Sequence, residues 1–447
     1  MPNERCWNPE IEMMEPDAVR TMQSAKLRRQ LDYLADRSQF YRDKLADAGV
    51  DPVQIRTIED LGELPFTEKG ELRTSQLEQP PLGQHAAADL VDVVRVHASS
   101  GTTGRPSYVG VTARDAAAWV EVVSRVFYCE GVRRDDVVVH GLGLGFFVGG
   151  LPLADAIQRI GATFVPIGTG ASDRLVSSVR NLGATALTCT PSYARYLTEY
   201  MRDRLDSEPS SLGLRRILVG AEPGGGIPAV RERIATDFGA RVNESLGNAD
   251  LCPVYAATCD EQDGNHLLAP DHLALELIEP ESGAVLKWED GVEGELVATH
   301  LERECVPLVR FRTRDRVVVS MRPCRCGRPS PRIRCIGRTD DLLIVNGVNV
   351  WPSALSDIVA SLHPRTTGAL EILVTEPPPK VEPPLRMRVE HSAGVEVDPL
   401  RRELEATIRD KLIARVEVEL VPSGSLERVE MKSRLVRLVD SKGASLP

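Results

Sequence analysis

Asp136-Val-Val-Val139, Thr163-Phe-Val-Pro-Ile167, Thr185-Ala-Leu-Thr-Cys189 and Ile217-Leu-Val219 are short apolar runs, separated by helix-length amphipathic stretches. Val91–Val96 opens the same series, which runs from about residue 90 to 300. Alternation of this kind predicts parallel strands covered by helices. Upstream, Val19, Met22, Leu27, Leu31, Leu34, Tyr41 and Leu45 recur mostly every three or four residues, predicting a helix over 16–48 closed by Gly49. Downstream of Arg338 the texture changes to a small α+β unit. Its expected elements are strand Leu342–Val345, helix Pro352–Leu362, strands Glu371–Val374 and Arg386–Glu390, helix Pro399–Leu412 and strand Val416–Leu420. The chain therefore reads as α/β, with a large N-terminal domain of parallel-type sheets (1–338) and a small α+β C-terminal domain (339–447), the boundary falling at Gly337–Asp341.

The 447 residues suffice for several domain-sized units, and 42% apolar with 27% charged residues is an ordinary globular composition. A net charge of −11 argues against bulk binding to nucleic acid or anionic membrane. The N-terminus is charged early and leads into no apolar core, so no secretory signal is expected. The weakly charged stretch Val137–Ala154 carries five glycines and Pro152, which suit a strand, loop and helix start rather than a membrane span. Nine cysteines without a signal imply reduced thiols or metal ligands, hence a cytoplasmic protein.

The sharpest local motif is Ser99-Ser100-Gly101-Thr102-Thr103-Gly104-Arg105-Pro106-Ser107. Its glycines let the backbone approach a phosphate chain, its hydroxyls donate, and Arg105 adds charge. It lacks the Gly-Lys-Ser/Thr ending of a Walker loop. The nonapeptide resembles the phosphate loop of the adenylate-forming (acyl-CoA synthetase-like) superfamily, with Arg105 where Lys is commoner. Four further segments follow in that superfamily's order. Gly220-Ala221-Glu222-Pro223 resembles its adenine-contacting segment, and Phe311-Arg312-Thr313-Arg314-Asp315 the segment whose Asp grips the ribose hydroxyls. Gly337-Arg338-Thr339-Asp340-Asp341 resembles the ribose-contacting Arg and the hinge, with Asp340 as hinge residue. Gly424–Lys432 resembles the segment bearing the adenylation lysine, Lys432. Leu343–Pro352, Tyr41-Arg42 and Gly149-Gly150 make the phenylacetate–CoA ligase branch the nearest resemblance, and it covers nearly the whole chain.

The resemblance implies ATP, Mg²⁺ and CoA as cofactors and co-substrates. A carboxylate attacking the α-phosphate brings two anions together, so cations must neutralise the developing charge. Lys432 would stabilise that transition state. In a second step the small domain would swing about Asp340, withdraw Lys432 and open a thiol tunnel beside Gly347. The partners expected are a small carboxylic acid, ATP and CoA, with no nucleic acid and no membrane, and the reading admits a homodimer.

Cys259, His266, Cys324 and Cys326 supply four soft ligands in a Cys-x₆-His and Cys-x-Cys-Gly spacing, enough to close a structural Zn²⁺ site. A zinc site here also occurs in the branch. Cys252 is a spare candidate, read as core. Two departures from the branch matter. Its usual Tyr-Gly-Leu-Ser-Glu reads here Leu246-Gly247-Asn248-Ala249-Asp250, which passes the Mg²⁺ role to Asp250 and loses an aromatic contact to adenine. Its pair of pocket tyrosines is replaced by Leu142 and Leu144, which border the acid pocket with Phe146 and Phe147. Losing two phenols argues against phenylacetate itself and for another aromatic acid, or a compact hydroxylated or branched one. Two alternatives remain. The acyl group could pass to a carrier-protein thiol or an amine. The six arginines between Arg322 and Arg338 could instead mark a zinc-knuckle nucleic-acid module, although a solvated charged face is the simpler reading.

Overall fold

The computed structural model describes residues 5–99, 107–346, 348–427 and 435–440. Its backbone is α/β, and twelve strands join in one mixed sheet. Thr163–Pro166, Val137–His140, Ala186–Cys189 and Arg216–Val219 lie side by side and parallel, as the apolar runs predict. Beyond them the sheet turns antiparallel, for example between Arg241–Asn248, Cys252–Thr258 and Asn265–Leu267. The purely parallel expectation is thus corrected for this half. Only a few residues separate these strands, and a parallel crossover needs a dozen or more.

Val91–Val96 is also corrected. Val93–Ser99 pairs with Ser107–Thr112 as a separate antiparallel ribbon, in the register Val96↔Gly110 and Ala98↔Tyr108. The predicted helix over 16–48 is two helices, Pro16–Arg37 and Gln39–Asp47. Buried Ser38 between them is extended (φ −112°, ψ 112°) and donates its hydroxyl to the Gln84 carbonyl at 3.2 Å, a competitor to helical pairing.

Both helices bury Leu27, Leu31, Leu34, Tyr41 and Leu45 against Ala274, Leu301 and Val309. Polar contacts fix the register. Gln23 Nε2 donates to the Leu273 carbonyl at 3.1 Å, Gln30 Nε2 to the Arg303 carbonyl at 2.9 Å, and the Val309 amide to Tyr41 Oη at 3.0 Å. Residues 5–12 are held separately. Arg328 donates through Nε and Nη2 to Glu12 Oε2 at 2.9 and 2.7 Å and also reaches the Arg5 carbonyl, with both side chains of the ion pair buried.

The chain divides into two compact units. One comprises Met1–Cys189, Leu212–Ala221 and Asn243–Arg334; the other comprises Thr190–Ser211, Glu222–Val242 and Cys335–Pro447. In the second unit, strands Thr366–Val374, Leu385–His391, Val416–Pro422 and Val436–Leu438 form a four-stranded sheet. Helices Pro352–Ser361 and Val397–Leu412 contribute Leu355, Ile358, Val359, Leu400, Leu404 and Ile408 to its core. The α+β elements expected after Arg338 are therefore present. Helices Pro191–Leu205 and Pro228–Phe238 belong to the same unit: Arg195 Nη1 donates to the Gly368 carbonyl at 3.0 Å and Arg233 Nη1 to the Thr367 carbonyl at 2.7 Å. Among the described residues, no helix is long and apolar enough to cross a membrane.

Candidate active site

Strand Val93–Ser99 delivers Ser99 to the mouth of the motif, whose residues Ser100, Gly101, Thr102, Thr103, Gly104 and Arg105 lie outside the described residues. Asp250 comes to the same place from a turn that its neighbours dictate. At Gly247 an added Cβ would stand 1.8 Å from the Pro253 carbonyl oxygen, so only glycine lets the two chain segments approach. The strand register shifts there, between Leu246 and Asn248. Asn248 Oδ1 then accepts the Asp250 amide at 2.9 Å, an Asx turn that presents the carboxylate. Leu246 packs, half-buried, against the core beside the turn.

Asp250 meets a cation that the sequence reading missed. Lys69 Nζ forms an ion pair with Asp250 and a 2.9 Å hydrogen bond to Ser99 Oγ. It begins helix Lys69–Glu78. A cation in a helix's first turn opposes the macrodipole, and that misfit is the one sequence signal that could have drawn notice. Thr67 carries Lys69's segment on the strand Phe311–Ser320. The Thr67 amide donates to the Arg310 carbonyl and the Arg312 amide to the Thr67 carbonyl, each at 3.0 Å. Glu68 adds an ion pair to Arg314. That strand also holds Asp315, buried, with its amide on Thr313 Oγ1 at 3.0 Å. His85 sits close enough to feel the charge of Asp250. Burial nevertheless pulls its imidazole down to about 4, so the ring is neutral, and its Nε2 has no hydrogen-bond partner among the described residues.

The loop bearing Leu142, Leu144, Phe146 and Phe147 starts where strand Val137–His140 ends. Its Gly141 amide is tied to the Thr188 carbonyl at 2.8 Å. Phe146 adopts φ +67°, which turns its carbonyl to accept both the Ala98 amide at 3.0 Å and His97 Nδ1 at 3.2 Å. The loop is thereby bonded to the strand that feeds Ser99. Gly150 ends it, since a Cβ would come within 2.4 Å of the Leu144 carbonyl oxygen. His140 gives Thr188 a 2.7 Å contact, and burial lowers it to about 4.

Cys259, His266, Cys324 and Cys326 converge, with their ligand atoms all within 4.8 Å of one another. Cys259 Sγ and Cys324 Sγ are 3.7 Å apart, and Cys326 Sγ lies 3.3 Å from His266 Nε2. A tetrahedron with 2.3 Å metal–sulfur bonds has edges of about 3.8 Å, so the spacing fits zinc. His266 Nδ1 contacts Ser330 Oγ at 3.2 Å, an orienting partner of the kind metal-bound imidazoles keep. The Cys259 thiol, and then the His266 ring, hold the Cys326 thiol far below its ordinary range, favouring a thiolate there. Cys252 is buried in the core, as expected. The arginine run divides: Arg322 and Arg325 are exposed, whereas Arg328 and Arg332 are buried on Glu12 and Asp263. It is not uniformly a solvated face.

Gly220 and Ala221 belong to the first unit, where Gly220 packs near Ser245 and Ala221 adopts φ +70°. Glu222 and Pro223 belong to the second, and Glu222 Oε1 accepts the Ser192 amide at 2.7 Å. There Arg338 forms a two-pronged pair with Asp340, Nε to Oδ1 at 2.8 Å and Nη2 to Oδ2 at 2.9 Å. Gly347 and Lys432 lie outside the described residues.

Two family models match the chain: AMP-binding enzyme over residues 22–300 and AMP-binding enzyme C-terminal domain over residues 347–442. A phenylacetate-coenzyme A ligase of Thermus thermophilus is 34% identical across 97% of this chain and 99% of its own length. One from Pseudomonas putida is 33% identical over 95% and 94%. A solved 2-hydroxyisobutyryl-CoA ligase in the postadenylation state, in complex with 2-HIB-AMP, superposes with a TM-score of 0.91 at 28% identity, covering 99% of this chain and 94% of that one. With both models matched and full-length identity above 30%, this protein belongs to the AMP-binding enzyme family, in the branch of the phenylacetate–coenzyme A ligases.

Proposed function

We infer that the protein is an AMP-forming acid–coenzyme A ligase acting on a small aromatic or compact hydroxylated or branched acid. The observation that carries this is the joining of the pocket loop to the strand feeding the Ser99–Ser107 motif, through the Phe146 carbonyl and Ala98 amide. An acid held against Leu142, Leu144, Phe146 and Phe147 is thereby brought beside a phosphate-binding loop. The acid's carboxylate oxygen attacks the α-phosphorus of ATP, the bond to the bridging oxygen breaks, and pyrophosphate leaves. The CoA thiol, losing its proton, then attacks the acyl carbonyl of the adenylate, and AMP departs.

The residue roles follow from the family. Ser99 to Ser107 grip the phosphates; Gly220, Ala221, Glu222 and Pro223 contact adenine; Asp315 and Arg338 hold the ribose. Lys432 stabilises the adenylation transition state. Asp250 would hold the Mg²⁺ of the nucleotide, whose contribution is to neutralise phosphate charge. Residues 1–338 and 339–447 would act as two domains with the hinge at Asp340, its release from Arg338 freeing both residues. Cys259, His266, Cys324 and Cys326 would hold a structural zinc ion, and nine free cysteines suit the reducing cytoplasm.

The test is pyrophosphate release with ATP and Mg²⁺ over a panel of aromatic and short hydroxylated acids, with and without CoA, beside Lys432→Ala. Acid-dependent release that CoA accelerates and Lys432→Ala abolishes is expected. Release indifferent to CoA would move the acceptor to a carrier thiol or an amine. Silence across the panel would overturn the reading.

A further inference from the structure

The family reading assigns the phosphates to Arg105 and Lys432, yet Lys69, the first residue of helix Lys69–Glu78, bonds Ser99, where the phosphate motif begins. We propose that Lys69 is a further substrate-binding residue of the adenylation step: it neutralises the β- and γ-phosphates of ATP, and is held on Asp250 until nucleotide arrives.

The geometry carries this in three ways. First, Lys69 Nζ reaches both the first hydroxyl of the phosphate motif, Ser99 Oγ at 2.9 Å, and Asp250. A triphosphate oxygen bonded to Ser99 Oγ comes within reach of that ammonium. Second, the placement is built. Thr67 is hydrogen-bonded on both sides into the strand that carries Asp315, and Glu68 is paired with Arg314, so Lys69 and Asp315 share one frame. Third, a buried polar atom lies unpartnered in the same neighbourhood: His85 Nε2 has no hydrogen-bond partner among the described residues, and its ring feels the charge of Asp250.

Lys69 and a divalent cation cannot both neutralise Asp250 fully, because the carboxylate carries one charge. Nucleotide entry resolves the competition. Asp250 turns to the cation carried by ATP, and the released ammonium turns to the phosphate oxygens, which carry more negative charge than the carboxylate it leaves. Because Lys69 belongs to the helix of its own unit, this charge is available before and after any action of Lys432.

The proposal rests on the ligase reading, and the experiment separates the two. Calorimetric titration of wild type, Lys69→Ala and Lys69→Met with α,β-methylene-ATP plus Mg²⁺, and with AMP, tests it directly. Lys69→Met keeps the apolar stem in place should the alanine variant fold poorly. Losing a charged hydrogen bond predicts about 10- to 100-fold weaker binding of the triphosphate analogue, with AMP affinity unchanged. Equal loss for both ligands would make Lys69 a structural residue and overturn the proposal, as would no loss for either. A wild type that binds neither ligand would overturn the ligase reading, and this proposal with it.

Discussion

Gly247→Ala should cripple the adenylation step through a single methyl group. The added Cβ would stand 1.8 Å from the Pro253 oxygen, against an ordinary contact of 3.4 Å or more, so the backbone must open by their difference, about 1.6 Å. Pro253 is backbone on the adjoining strand and has no rotamer with which to yield, so the shift passes to the turn that presents Asp250. Overpacking of this kind costs roughly 3 kcal/mol of stability. A misplacement of about 1 Å at a reacting group costs on the order of 100-fold in rate. Acid-dependent exchange of pyrophosphate into ATP reads the adenylation step alone, and a urea midpoint reads stability. The expected result is a folded protein, lower in midpoint, with exchange about 100-fold down and the Cys/His cluster intact. Full exchange in a stable alanine variant would refute the argument that this close approach aims Asp250.

Other outcomes follow from the same structure. Chelation, or Cys326→Ser, should remove one zinc ion per chain by elemental analysis and lower the melting temperature, while acid-dependent exchange survives at temperatures where the protein stays folded. Leu144→Tyr, alone or with Leu142→Tyr, should raise kcat/KM for phenylacetate relative to a short hydroxylated acid, since it returns the phenols expected of the branch; unchanged ratios would detach these leucines from the pocket. His300 accepts the Leu308 amide on Nδ1 and donates Nε2 to the Leu251 carbonyl, each at 3.0 Å, so it must be neutral, and burial lowers it to about 3. With the folded value below the unfolded 6.5, its contribution is complete above pH 6.5 and is lost as pH falls toward 3. Urea midpoints should therefore decline over that range, and the decline should be shallower in His300→Gln.

The parallel strands were legible because each is an apolar run with a helix-length gap after it. The antiparallel half carries a weaker signal: strand Phe311–Ser320 alternates buried and half-buried residues, several of them arginines paired with carboxylates. Composition alone reads such a strand as surface. The Cys/His cluster was legible because ligand spacing is itself local. Lys69 was not, since its meaning lies in an acid 181 residues away. Nor was the division of the arginine run, because Arg328 is buried against Glu12 and the Arg5 carbonyl, more than 300 positions back along the chain.

The pairing of Arg328 with Glu12 has a consequence for synthesis. The two residues are 316 positions apart, and helices Pro16–Arg37 and Gln39–Asp47 likewise find their partners between residues 270 and 309. At about 5–20 residues per second, the ribosome needs roughly 15–60 s to make the second member of that pair after the first. Throughout that interval Leu27, Leu31, Leu34 and Tyr41 have only the early part of their cluster, Leu45, Ile55, Leu61, Leu64 and Ala87, to cover them, and lack Ala274, Leu301 and Val309. The opening tenth of this polypeptide therefore stays only partly sealed until residues 270–309 are made, and the newborn chain presents the uncovered part of its apolar stripe to chaperones for that time.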